Sequence, residues 1–161
     1  MDTVQLLYNM HDVSSFLDVF PSDLPPQSIK QTTTVIVNVD PHTEGISHLL
    51  GVHVRPKFSS AYYIDSYGII PLVPSIQAFV KRKRKTWEYN RRQLQGLTAD
   101  VCRKYCYLFA LYMDRGYTPQ QFNSLFNACE HADQQVERLF TSEFGAQMAR
   151  GGWDQCCRSC L

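Results

Sequence analysis

An α+β fold is what this sequence predicts, on two observations. β-branched runs crowd the middle of the 161-residue chain, and helical apolar stripes follow them. Strands and helices are therefore segregated along the chain rather than alternating. The length suits one domain with a sizeable core. Residues 1–146 are taken as that domain, and residues 147–161 as a short cysteine-rich tail.

The elements follow in order. Residues 4–8 form a short apolar helix. Residues 16–20 lead into the turn-rich stretch 21–26, whose prolines forbid a long helix. Residues 33–39 are β-branched and predict a buried strand. Pro41 and Gly45 make 40–46 a loop. Residues 47–54 and 60–65 are the next two strands, and Ser66-Tyr67-Gly68 turns the chain. A helix is expected over 74–85, with Pro74 in its first turn and Ile76, Phe79 and Val80 on one face. Residues 87–94 are a fourth strand. Cys102, Cys106, Phe109 and Met113 make the stripe of a helix over 102–113, which Gly116 ends. Thr118 caps a helix opened by Pro119, and residues 133–144 form a last amphipathic helix.

Composition narrows the class. No apolar run reaches transmembrane length, and the N-terminus is amphipathic and acidic rather than a signal peptide, so an intracellular or virion protein is expected. The six cysteines are then expected to be reduced thiols. The net charge of +1 conceals one dense basic run, Lys81-Arg82-Lys83-Arg84-Lys85, with Arg91 and Arg92 beyond it. Such a run is a solvated helix end, a nuclear-import-like signal, or a phosphate-binding surface for DNA. Cys156, Cys157 and Cys160 near His131 or Cys129 match no strong zinc pattern, so no metal is expected. Arg158 at the fourth position from the end excludes a prenylation box.

Function is carried by His48, Asp65, Gln95 and Cys102, in that order. A thiol nucleophile needs a base, the base needs an acid to hold its tautomer, and the tetrahedral intermediate needs a donor for its oxyanion. Cys102 follows a turn signal, Gly96 to Asp100, where Thr98 or Asp100 can cap a helix and place the thiol in its first turn. There the helix dipole, Arg103 and Lys104 favour thiolate. Taken singly, each residue has an ordinary structural explanation: a core cysteine, a core histidine, a turn-capping aspartate, a surface glutamine. His53 is the nearest rival to His48.

Together these residues and the text around them resemble the cysteine proteases that include the adenovirus maturation protease and the ubiquitin-like-protein proteases. FLDVFPSDLP at 16–25, VIVN at 35–38, YYIDSYG at 62–68 and QGLTADVCRKYCYLF at 95–109 carry the resemblance, over residues 16–113. It is nearest to the adenovirus-like proteases of Polinton-type elements and related DNA viruses. It implies a rearranged papain-like fold, a central mixed sheet flanked by helices, with Cys102 as nucleophile, His48 as base, Asp65 as its orienting acid and Gln95 as oxyanion donor. By resemblance alone, Asp23 contributes to substrate binding. No cofactor is needed for the chemistry. DNA on Lys81, Arg82, Lys83, Arg84 and Lys85, and an activating peptide, are implied partners. The penultimate Cys160 and the small-residue pair Gly151-Gly152 suggest a self-processed tail in the peptide's place.

The implied function is a cysteine endopeptidase maturing viral or mobile-element structural precursors such as capsid or core proteins. It would act as a monomer, in the virion and host nucleus, without a membrane. The alternatives are a deconjugating protease for ubiquitin-like proteins, to which Asp65-Ser66 leans, and an inactive DNA-binding or scaffold module. The chain departs from the family at two positions that bear on competence: Leu49 stands where tryptophan usually follows the histidine, and Arg103 where glycine usually follows the cysteine.

Overall fold

The structure, a computed structural model, describes residues 3–82, 84–96, 101–126 and 132–149. The β-branched middle of the chain forms strands β1 (Phe16–Phe20), β2 (Thr33–Asn38), β3 (Leu49–Arg55), β4 (Ser60–Ile64) and β5 (Thr86–Tyr89). They make one five-stranded mixed sheet in the order β1-β2-β3-β4-β5. The pairs β2–β3 and β3–β4 are antiparallel, while the two edge strands pair parallel to their neighbours. Around it lie helices α1 (Thr3–Met10), α2 (Pro74–Lys81), α3 (Cys102–Asp114), α4 (Pro119–Ser124) and α5 (Ala132–Ala149). The fold is α+β, as the segregated patterns predict.

Strand alternation divides the core into two layers. On one face Ile36, Leu49, Tyr62 and Ile64 pack with α1, α3, α4 and α5. On the other, Val35, Val37, Leu50, Val52, Val54 and Tyr63 pack with Ile76, Phe79 and Val80 of α2. Helix α3 is buried on nearly every side, in contact with β2, β3, α1, α4 and α5. A helix covered on nearly every side belongs inside a domain, and its charged residues Arg103, Lys104 and Asp114 stand at its two ends. Gly51 lets α3 approach β3: a Cβ there would lie 2.7 Å from both Ile64 Cγ2 and Phe109 Cδ1. Gly68, at φ +72°, turns the chain where a Cβ would meet the Arg92 backbone at 2.6 Å.

Four local expectations change. Residues 16–20 form a strand, β1, though no period-2 alternation marks it. Helix α2 stops at Lys81 rather than 85, because Arg84 donates to the carbonyls of Phe79, Val80 and Arg82 and the chain turns into β5. Strand β5 stops at Tyr89 rather than 94, because Asn90 and Leu94 bond the Asp65–Ser66 turn instead of continuing the ladder. The N-cap of α3 is Val101, without a side-chain cap. Thr98 and Asp100, expected in that role, lie outside the described residues. Thr118 does cap α4, in a reciprocal capping box with Gln121. No helix among the described residues is long and apolar enough to cross a membrane.

Candidate active site

Antiparallel pairing of β3 with β4 brings the start of one strand beside the end of the other. His48 immediately precedes β3 and Asp65 immediately follows β4, so both stand at one end of the sheet. His48 Nε2 donates to Asp65 Oδ1 at 2.9 Å, with the side chains 17% and 7% exposed. Asp65 is held in turn. The Tyr67 backbone N–H donates to the same Oδ1 at 2.8 Å. Asn90 brackets the Asp65 main chain, its Oδ1 accepting from the N–H at 2.8 Å and its Nδ2 donating to the carbonyl at 2.5 Å.

Cys102 is the first residue of α3, where the helix dipole favours an anion. The His48 imidazole and the Leu49 backbone N–H are the groups that act on its thiol. With Nε2 on Asp65, Nδ1 is the imidazole nitrogen left for the thiol. Burial pushes the Cys102 thiol up, but the His48 bond, the Leu49 N–H and the charges of His48 and Arg103 together bring it below its usual range. Burial likewise pushes His48 down, but its bonds to Asp65 and Cys102 and their negative charges raise it to about 9. Both directions favour a thiolate–imidazolium pair. The two residues that differ from the resembled pattern both act on the thiol: Leu49 through its backbone N–H, while its side chain fills the core, and Arg103 through its charge.

Gln95 is buried and reaches this pair through the Asp65-Ser66-Tyr67 turn. The Tyr105 hydroxyl, one turn into α3, donates to the Leu94 carbonyl and ties the segment to the helix start. The N–H groups of Leu94 and Gln95 donate to the Ser66 carbonyl at 2.7 and 2.8 Å. In the Gln95 side chain, Oε1 accepts from Ser66 Oγ at 2.7 Å, and Nε2 donates to the Tyr67 hydroxyl at 3.3 Å. The Tyr67 ring packs on His48 with centroids 4.9 Å apart. One tripeptide, Asp65-Ser66-Tyr67, therefore touches the histidine and the glutamine as well as supplying the acid.

All four candidates predicted from the sequence meet in one region. Ser66, Tyr67, Asn90 and the Leu49 N–H were not singled out as parts of the site. Ser66 and Tyr67 lie in the YYIDSYG stretch with Asp65 and Leu49 follows His48 directly, while nothing in the sequence points to Asn90. The rival histidine is structural. His53 Nδ1 bonds Thr34 Oγ1 at 2.9 Å, its ring meets Phe109 edge-on, and burial, aided by the Arg55 charge, lowers it to about 4. Cys106 is buried one turn beyond Cys102, and burial raises its thiol well above the usual range. Asp23 pairs with His42, accepting from Nδ1 at 2.5 Å and from the backbone N–H at 2.9 Å.

In the basic run, Arg82 donates to the carbonyls of Pro26 and Gln27, and Arg84 to those closing α2. Lys81 and Lys85 are exposed. Lys83, Cys129, His131, Gly151, Gly152, Cys156, Cys157 and Cys160 lie outside the described residues. Among the described residues no group of three or more histidines, cysteines or carboxylates is arranged to hold a metal ion. In comparisons with known proteins, no family model and no curated protein matches this chain.

Proposed function

We propose that this chain is a cysteine endopeptidase of the rearranged papain-like kind, with Cys102 as nucleophile. The observation that carries the reading is the His48–Asp65 pair, an imidazole held by a buried carboxylate, with Cys102 at the start of α3 as the thiol that His48 acts on. His48 takes the thiol proton. The thiolate attacks the scissile carbonyl, and the oxyanion is met by Gln95 Nε2 and the Cys102 backbone N–H. The imidazolium returns the proton to the leaving amine, leaving a thioester that water, deprotonated by His48, hydrolyses. Asp65 keeps the ring in the tautomer and orientation this sequence requires.

The substrates proposed are structural precursors of a virus or mobile element, on the strength of the motif resemblance. The Asp65-Ser66 dipeptide keeps a ubiquitin-like-protein protease as the second reading, because Ser66 contacts Gln95. Cleavage of a capsid precursor against a ubiquitin-like fusion separates the two. DNA as an activator draws less from the geometry, since Arg82 and Arg84 are committed to carbonyls.

A peptide carrying a thiol-reactive electrophile tests the chemistry. It should label Cys102 and spare Cys106, with a bell-shaped pH dependence. Reactivity rises with pH as the lowered thiol ionises, and falls near pH 9 as His48 loses its proton. The apparent values belong to the coupled pair. His48→Ala should abolish the labelling. A Cys102 that reacts like a free thiol of pKa about 8.5, unaffected by His48→Ala, would sink the proposal and favour an inactive module.

A further inference from the structure

A glutamine amide has two ends of nearly equal shape and opposite polarity. Only Nε2 can stabilise an oxyanion; Oε1 in its place would repel it. The site must therefore fix which way Gln95 turns, and the Ser66 carbonyl, which clamps the Leu94 and Gln95 backbone N–H groups, does not do so. The buried Ser66 hydroxyl does. It donates its hydrogen to Oε1 at 2.7 Å, and Nε2 is then directed to the Tyr67 hydroxyl, whose ring lies on His48. Turning the amide over would set Nε2–H against Ser66 Oγ and strand the buried hydroxyl hydrogen, holding that orientation down by about tenfold or more.

We infer that Ser66 is a positioning residue that sets the polarity of the Gln95 amide, so that the donor end faces the oxyanion. The inference deepens the protease reading and rests on it. Asp65-Ser66 thus divides its work: the first residue orients the base and the second orients the oxyanion donor.

The test is a double-mutant cycle on the full chain, with two assays that need different parts of the site. Amide hydrolysis needs thiolate and oxyanion donors; alkylation of Cys102 by iodoacetamide needs the thiolate alone. Gln95→Ala should lower kcat by about 10²-fold, and Ser66→Ala by about 10- to 100-fold, with KM little changed. Alkylation should stay at the wild-type rate in both. In the Gln95→Ala background, Ser66→Ala should have no further effect, because its action passes through the amide. A wild-type kcat in Ser66→Ala overturns the inference. So does a Ser66→Ala loss that multiplies that of Gln95→Ala, or a matching loss of alkylation. If wild-type Cys102 alkylates no faster than a free thiol, it is the protease reading that fails. The anchoring can still be read from the Gln95 side-chain NH2 signals of nitrogen-15-labelled protein. They should be protected from exchange in the wild type and lose that protection in Ser66→Ala, and identical signals in both overturn the inference.

Discussion

His48 and His53 stand at the threshold and in the middle of β3, and Cys102 and Cys106 one turn apart on α3. Each pair shares a residue type, a secondary element and substantial burial, yet the two members move in opposite directions. His48 is raised to about 9 and His53 lowered to about 4; Cys102 is lowered and Cys106 raised. Burial acts the same way within each pair, always against the charged form. The partners differ. His48 has a carboxylate and a thiol, while His53 has the neutral Thr34 hydroxyl and the repelling Arg55 charge. Cys102 has an imidazole and a backbone N–H; Cys106 has apolar neighbours and the negative groups Cys102 and Asp65. Chemistry here is decided by which groups reach the side chain, within one helical turn, rather than by the side chain itself.

Exchanging sulfur for oxygen on each turn is the strongest way to break this contrast. Cys102→Ser should cut peptide hydrolysis by about 10⁵-fold or more, since the hydroxyl is a far weaker nucleophile, and should leave the fold intact. Cys106→Ser should keep activity within a few-fold but lose about 1–3 kcal/mol of stability, by setting a hydroxyl among apolar groups. Kinetics and urea unfolding on the two variants check both halves. A folded but inactive Cys106→Ser would show that the inner turn belongs to the chemistry after all.

The same contrast explains what the sequence could and could not reveal. The order of His48, Asp65, Gln95 and Cys102 was legible because each sits in a short contiguous stretch of sequence that reads as a motif. The α3 stripe and the Thr118 cap were legible because they depend on neighbours in the chain. Strand β1 was not, because an exposed edge strand of five residues need not alternate. Asn90 was not, because its hold on Asp65 spans 25 residues and nothing local to it distinguishes a bracket from a turn asparagine. The choice of His48 over His53 rested on the spacing to Asp65 and the surrounding motif, since both sit in apolar strand text and only tertiary contacts separate their chemistry.

Acid sharpens the histidine pair. The unfolded chain protonates His53 near its usual 6.5, and the folded chain refuses the proton until about 4. Stability should therefore fall as pH drops through this window, by about 1.4 kcal/mol per pH unit and about 3 kcal/mol in all. His48 has the opposite sign. Its contribution is fully present below 6.5 and is lost as pH rises through about 9. His53→Gln keeps a polar partner for Thr34 and cannot titrate, so it should flatten the acid limb of a urea-unfolding series while leaving hydrolysis near wild type. An acid limb unchanged by His53→Gln would contradict the assignment of His53 as a neutral core residue.

The smallest expected effect probes how the two regions are coupled. A methyl at Gly51 would press on Ile64 and on Phe109, in the middle of the helix that Cys102 begins. Gly51→Ala should cost about 2 kcal/mol through overpacking. By displacing α3 from β3, it should also part Cys102 from His48 and lower kcat by about tenfold, as small misalignments at a reacting centre do. Gly45→Ala, with open space around the added carbon, is the matched control and should change neither quantity. Trimming the obstacle should restore both, so Gly51→Ala combined with Phe109→Leu should be more active than Gly51→Ala alone. If Gly51→Ala loses stability but keeps full kcat, the interior yields without moving the rim. The close β3–α3 contact would then support the fold without setting the distance between base and nucleophile.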